Sequence, residues 1–436
     1  MRWTALLLLL ALLAPAVSPA TAQSRTAAPL RVVLDNGLTV IVQETHATEI
    51  VTLQAWVKVG SRDETDETNG AAHFVEHMLF KGTQRRGVGQ IDREVEGLGG
   101  ILNASTSFDY TQYFIVSASR FFDKILGIQS DALMRSTLDP QEFERERLVI
   151  IEELNRRDDT PSTRTFDALY TTAYAVHPYR RPIGGSRAVI QQMTRDQLFG
   201  FYTTHYAPGN VTVVVVGDVS AQDAVHKVRR AYGGWRRPAP ARQQFAPEPP
   251  FGAVRRSVIE GDVRVAYLNM GWLGPAARDR DVYAMDVLLY VLGRGRGSRL
   301  ARSIQEGQRL VQQISAGFPT ALDPTLFSVF AVTEPDNVAR VEEVILAEIR
   351  GVREQGVSDE DLRRAKTLLE GEEIVSTHTT RGFATTLGFY ATVADLEFAL
   401  TYRDRIRQVS REDVQRVALR FLDPQRYALV VLQPRR

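Results

Sequence analysis

The stretch AAHFVEH, residues 71–77, carries His73, Glu76 and His77. On an α-helix, residues four apart lie one above the other on one face. His73 and His77 can therefore present ring nitrogens to a single ion. Glu76 lies one turn beyond His73 and beside His77, where its carboxylate can reach a water held on that ion. That is the equipment of metal-assisted hydrolysis, in the reverse of the H-E-x-x-H order. The plain alternative is a helix with two polar residues on one face.

A third ligand separates the two readings, because catalytic zinc commonly has three protein ligands and a water. The chain has no cysteine, which excludes thiolate ligands and disulfides. Asp139-Pro140 reads as an N-cap followed by proline at the first helical position, opening a helix through QEFERERLVIIEELNRR. That helix offers Glu142, Glu144, Glu146, Glu152 and Glu153. Glu146 and Glu153 are seven residues apart, two turns, and share a face. Leu148, Val149, Ile150, Ile151 and Leu154 bury much of the helix around them, and a carboxylate at that depth needs a metal or an arginine as partner. Glu142 and Glu144 read as a solvated face. His46, His177, His205, His226 and His378 have no ligand-like spacing.

The elements that must hold these residues alternate strands with helices. LRVVLDNGLTVIVQE contains Asn36-Gly37 between two β-rich runs, a hairpin signal. IVTLQAWVKVG reads as a third strand, followed by helices over about 69–80 and 88–98. ILNASTS and DYTQYFIVSA read as an antiparallel pair. Helices near 162–176 and 194–204 precede the strand NVTVVVVGDV and a helix to about Tyr232. A Pro/Gly-rich stretch then marks a linker over 236–250, between an N-terminal domain at 30–235 and a C-terminal domain at 251–436. The second domain repeats the order of the first: RVAYLNMGWLG answers VTLQAWVKVGS, and RYALVVLQP answers NVTVVVVGDV. DRDVYAMDVLLYVLG takes the place of the His-Glu-His helix, so only one half can hold this metal.

Residues 1–22, with Arg2, an apolar run and Ala20-Thr21-Ala22, read as a signal peptide. The expectation is export to a bacterial periplasm or beyond, with no membrane span in the mature chain. Lys+Arg and Asp+Glu number 53 and 52, a balance that gives no reason to expect nucleic acid or an anionic membrane as partner.

HFVEH with MLFKGT after it, ERERLVIIEEL about 75 residues on, NASTSFDYTQYF, HPYRRPIGGS and FYTTHYAPGNVTVVVVGDV occur in this order. In them the chain resembles the pitrilysin-like metallopeptidases, the H-x-x-E-H inverted zincins that include insulin-degrading enzyme and the mitochondrial processing peptidases. The resemblance implies an α+β fold of two homologous domains, each a mostly antiparallel sheet covered by helices on one face. It implies a zinc-dependent metalloendopeptidase acting on extended, unstructured peptides. His73, His77 and Glu153 would be the zinc ligands, with Glu152 the rival for third place. Glu76 would be the general base and Glu146 the carboxylate that orients a ligand. Substrate would add as a strand along Asn103, Ala104, Ser105 and Thr106, with Phe74 lining a side-chain pocket.

The second half departs from that pattern. GRGRGSRLARSIQ keeps a glycine-rich loop, but Gln305 and Gln313 stand where relatives active alone carry an arginine and a tyrosine. Glutamine has no charge to stabilise an oxyanion. The expectation is therefore a catalytic subunit that needs a partner chain of the same family to supply the Arg/Tyr pair. A homodimer is the alternative, and a non-catalytic peptide-binding scaffold is the rival function.

Overall fold

The computed structural model describes residues 28–435, so the leader read in residues 1–22 lies outside the described residues. The first half runs β1 (Leu30–Val33), β2 (Thr39–Glu44), β3 (Ile50–Val57), α1 (Ala71–Leu79), α2 (Gln90–Gly97), β4 (Ile101–Thr106) and β5 (Thr111–Ala118). It continues with α3 (Phe122–Arg135), α4 (Pro140–Asp158), α5 (Pro161–Ala173), α6 (Arg187–Gln192), α7 (Arg195–His205), β6 (Val211–Gly217) and α8 (Ala221–Tyr232). The hairpin at Asn36-Gly37 forms, with β1 antiparallel to β2, but through a five-residue loop over 34–38 in which Gly37 alone takes positive φ, at 90°, rather than through a two-residue turn. Asp139 caps α4 by accepting from the Gln141 and Glu142 amides. The sequence pattern leaves α3 unassigned, although FDKILGIQSDALMR buries Ile125, Leu126, Ile128 and Leu133 at helical spacing.

The second half runs β7 (Arg255–Gly261), β8 (Ala266–Leu273), α9 (Val282–Leu292), β9 (Val311–Gly317), β10 (Leu326–Thr333), α10 (Val338–Gln355), α11 (Asp359–Thr377), α12 (Thr380–Val393), α13 (Leu396–Gln408), α14 (Arg411–Phe421) and β11 (Ala428–Pro434). The first sheet has the order β1-β2-β6-β3-β5-β4 and the second β7-β11-β8-β10-β9. Apart from β1, the two orders correspond strand for strand, each with one parallel pair, β2/β6 and β11/β7. The rest pairs antiparallel. This is the expected duplicated α+β fold, and α9 occupies the place of α1.

Each half's own helices cover one face of its sheet. Residues from α1, α3, α7 and α8 pack on Val40, Leu53, Tyr113 and Val213, and those from α9, α10 and α14 on Leu268, Met270, Val329 and Leu429. The other face carries a helix exchanged from the opposite half. Ala384 and Leu387 of α12 pack on Ile41, Trp56, Val214 and Val216 of the first sheet. Leu169 and Tyr170 of α5 pack with Leu326, Ala428 and Val430 of the second. The exchange explains why β6, VTVVVVG, is buried throughout rather than alternating. It also fixes Gly388: a Cβ there would sit 2.0 Å from Trp56 Nε1.

Residues 236–250 form no helix or strand, but they are pinned. Arg242 donates to the carbonyls of Asp109 and Thr392, and Glu248 accepts from the amides of Ala175, Val176 and His177. Among the described residues, no helix is long and apolar enough to cross a membrane.

Candidate metal centre

The α1 helix opens on Gly70 at φ 101°, a left-handed conformation that glycine tolerates. The carboxylate of Glu64 sits across its first turn. One oxygen accepts from the Gly70 amide and Asn69 Nδ2, the other from the Ala72 amide, each at 2.8 Å. Three donors and the positive helix end favour the carboxylate, while burial pushes its pKa up to about 8. Glu64 thus locks the helix that carries both histidines, a role that its place among the acids of SRDETDE does not announce.

From α1, His73 Nε2 and His77 Nε2 face each other at 3.3 Å. Glu153 Oε2, from the last turn but one of α4, lies 3.7 Å from His73 Nε2 and 3.5 Å from His77 Nε2. Among the described residues, these three form the one group of His and carboxylate atoms placed to hold an ion. The triangle can be tested against zinc. Bonds of about 2.0–2.2 Å to a tetrahedral centre place neighbouring ligand atoms about 3.4 Å apart, and the three observed separations bracket that value. The set of two imidazoles and one carboxylate is also a common zinc donor set.

The surroundings fix the ligands. His77 Nδ1 donates to Glu146 Oε2 at 3.1 Å, which leaves Nε2 free to face the other two groups. Lys81, one turn past His77, holds the other Glu146 oxygen at 2.7 Å. Burial, with His77 and Arg157 nearby, lowers His73 to about 3, so its imidazole is neutral, as a metal ligand must be. Burial alone would lower His77, yet the Glu146 bond and the charges of Glu153 and Glu76 raise it. Replacing Glu146 by alanine is expected to weaken zinc binding about 10- to 100-fold with the fold intact. A competitive chelator titration reads this directly.

Glu76 points to the same side but stands outside the triangle. Burial raises its pKa, with the Thr106 hydroxyl and His77 pulling it back. Thr106 donates to Glu76 Oε2, and β4 is a free edge of the first sheet, β1 being the other. The pleat alternates along β4. Leu102 and Ala104 pack toward the core beneath α1, and Thr106 reaches Glu76, whereas Asn103 and Ser105 are exposed on the opposite face. Asn103 Oδ1 accepts from the Ala104 amide, and Ser105 leans toward Gln112. Side chains of Asn103 and Ser105 therefore face away from the centre, and only their backbone can serve it.

Several expectations need correction. Phe74 lines no pocket: it is 0% exposed and stacks on Phe143 at 4.8 Å between centroids. One position on from His73, it turns to the core while the histidine turns outward. Glu152 is no rival to Glu153, because its side chain is 59% exposed beside Arg156. Glu142 is buried rather than solvated, bonded by Arg145. Two of the other histidines have plain partners, Asp218 for His46 and Asp323 for His177.

In the second half, Ala301–Gly307 form a π-helical turn. Gln305 Nε2 donates to the Gln312 carbonyl at 2.8 Å, and the pairing of β9 with β10 skips Gln312 as a bulge while Gln313 pairs with Val332. Both Gln312 and Gln313 are exposed. Between them and the turn, Arg309 holds φ at 53°, which costs a side-chain-bearing residue about 1–2 kcal/mol. Arg309→Gly is expected to raise stability by up to about 1 kcal/mol once glycine's own entropy is discounted. A shift of the urea midpoint to higher concentration would show it.

Among the described residues, fold and site together define a duplicated α+β chain with one His-His-Glu centre, on the first half. Residues 39–187 match the family described as Insulinase (Peptidase family M16), and residues 192–369 match the Peptidase M16 inactive domain. An uncharacterized zinc protease of Mycobacterium bovis is 30% identical over 415 residues, 93% of each chain. The zinc protease PqqE of Helicobacter pylori is 29% identical over 92% of each chain. A probable mitochondrial-processing peptidase subunit beta of Arabidopsis thaliana is 29% identical over 92% of this chain and 77% of its own. Among solved structures, a protease from Helicobacter pylori superposes with a TM-score of 0.88 at 28% identity, covering 93% of this chain and 100% of that one. The chain belongs to the M16 peptidase family.

Proposed function

We propose that the chain is an exported, zinc-dependent endopeptidase that cuts extended peptides. The observation that carries this reading is the His73–His77–Glu153 triangle with Glu76 beside it and the free β4 edge bonded to Glu76 through Thr106. Zinc, when bound by His73, His77 and Glu153, supplies Lewis acidity toward the scissile carbonyl and the attacking water. Main-chain pairing along Asn103–Thr106 lays the substrate flat, with affinity that asks little of its sequence. Glu76, held at Oε2 by Thr106, takes the proton of the attacking water on Oε1 and passes it to the leaving amine. Its raised pKa brings it closer to the working range of a base near neutrality.

The uncharged Gln305 and Gln313 support a further element of the reading: full turnover requires an arginine and a tyrosine from a partner chain. The experiment uses the zinc-loaded chain from Gln23 onward and unstructured fluorogenic peptides, with and without Gln305→Arg/Gln313→Tyr. The double variant is expected to raise kcat about 100- to 1000-fold, the scale of one oxyanion donor. Fast turnover by the unaltered chain alone would overturn partner dependence. A zinc-loaded chain inert with the double variant and with every same-family partner tried would overturn the peptidase reading.

A further inference from the structure

A second cleft, of about 730 Å³, lies where the two halves meet. Phe166 and Tyr170 of α5, Phe330 of β10, Phe389 and Tyr390 of α12 and Tyr402 of α13 line it. None of these belongs to the metal centre. Asp286 of α9 is on the same wall, only 7% exposed. Its Oδ2 accepts from the Tyr402 hydroxyl at 2.8 Å, and no cation pairs with it among the described residues. Arg294, also on the lining, is turned to Glu372 at 3.5 Å. Asn269 of β8 lines the cleft too, 4% exposed, and its Oδ1 is buried with no hydrogen-bond partner among the described residues.

Both under-used groups are acceptors; the other charged groups on the walls are already partnered, Asp109 by the Tyr179 hydroxyl and the Leu322 amide and Arg294 by Glu372, and between serine and threonine hydroxyls the rest is aromatic and apolar. Burying a carboxylate without a counter-charge, or an amide oxygen without a donor, is costly, and a simple core position would be better filled by leucine. An anion would be repelled by Asp286, and a neutral apolar molecule would leave both acceptors unmet. A cation on an apolar body meets all three demands: it pairs with the carboxylate, donates hydrogen bonds, and rests against the electron-rich ring faces. We propose that this interdomain cleft binds an ammonium or guanidinium group carried on an apolar or aromatic body, with Asp286 as its counter-ion. Burial pushes the Asp286 carboxyl up to about 7, with the Tyr402 hydroxyl pulling it down, so an arriving cation would settle the charge there.

The group can come from a small amine or from a basic side chain of a bound peptide, and calorimetry on the full mature chain distinguishes the two. The probes are phenethylamine and an unstructured lysine-bearing peptide, each beside its N-acetylated form. Binding of the cationic forms, at least tenfold weaker after acetylation and at least tenfold weaker in Asp286→Asn, is expected. It should survive removal of zinc by a chelator, which separates this cleft from the metal centre. Binding of phenethylamine alone assigns the cleft to small amines; binding of both admits the peptide side chain. Equal affinity for acetylated and free forms, no binding of either cation, or undiminished binding in a folded Asp286→Asn chain would overturn the proposal. The acetylation arm needs no variant, so it holds even if Asp286→Asn fails to fold.

Discussion

Glu76→Gln is expected to lower kcat on an unstructured peptide by about 100- to 10,000-fold, the usual worth of a positioned general base, while zinc remains bound. The two halves of that result have separate causes. Glutamine keeps the length and shape of glutamate, and its amide oxygen can still accept from Thr106, so α1 and β4 should keep their spacing. The ion-holding atoms belong to His73, His77 and Glu153, and none is touched. What is lost is the capacity to take a proton. His73→Ala also removes turnover, but through loss of the ion, so metal analysis beside the rate tells the two variants apart. Because the groups act as a unit, the double variant should be scarcely slower than either alone. Unchanged turnover in Glu76→Gln would remove Glu76 from the role of base.

Arg62→Ala should produce the largest loss of stability, about 3–5 kcal/mol, the cost of stripping one partner from a buried ion pair. Arg62 is 1% exposed. Its Nε and Nη2 donate to Asp323 Oδ2 at 3.0 and 2.6 Å, and its Nη1 to Asp63 Oδ1 and the Gln243 carbonyl at 3.3 and 3.2 Å. Phe245 covers the guanidinium at 4.7 Å. One side chain thus joins the first half, the connecting segment and the second half.

The loss should depend on pH. Burial pushes Asp63 up to about 6 from an ordinary 3.8, with Arg62 pulling it down. The folded chain holds that proton more tightly than the unfolded chain, so this contribution is present below the ordinary value and is lost as pH rises through about 6. Without Arg62 the shift grows and the loss deepens. Asp323 works in the same direction: burial alone would raise it, but His177 and Arg62 hold it low. That contribution exists above the ordinary carboxylate value and shrinks when the arginine goes. The destabilisation by Arg62→Ala should therefore be larger at about pH 7.5 than at about pH 4.5. Denaturant titrations at the two pH values read the difference, and an equal loss at both would show that the carboxylates are not charged against Arg62.

The sequence by itself carried whatever is local. Helical spacing put His73, Glu76 and His77 on one turn, proline and aspartate opened α4, and Asn36-Gly37 turned the first hairpin, because each depends on residues within a few positions. The repeat of strand patterns around a shared helix was legible for the same reason, and it left the His-Glu-His set on one half. Only the tertiary structure decided the contacts made across the chain. Glu153 rather than Glu152 faces the histidines, because the packing of α4 against α1 sets which face turns inward. Phe74 turns to Phe143 and leaves substrate alone, a choice of facing that one helical position alters. Glu64, Lys81 and Thr106 act through partners that adjacent spacing hardly reveals. The exchange of α5 and α12 could not be read at all. A run such as VTVVVV says that both faces of a strand are buried, but which helix buries the second face is settled by long-range packing, where apolar area is interchangeable until shape chooses.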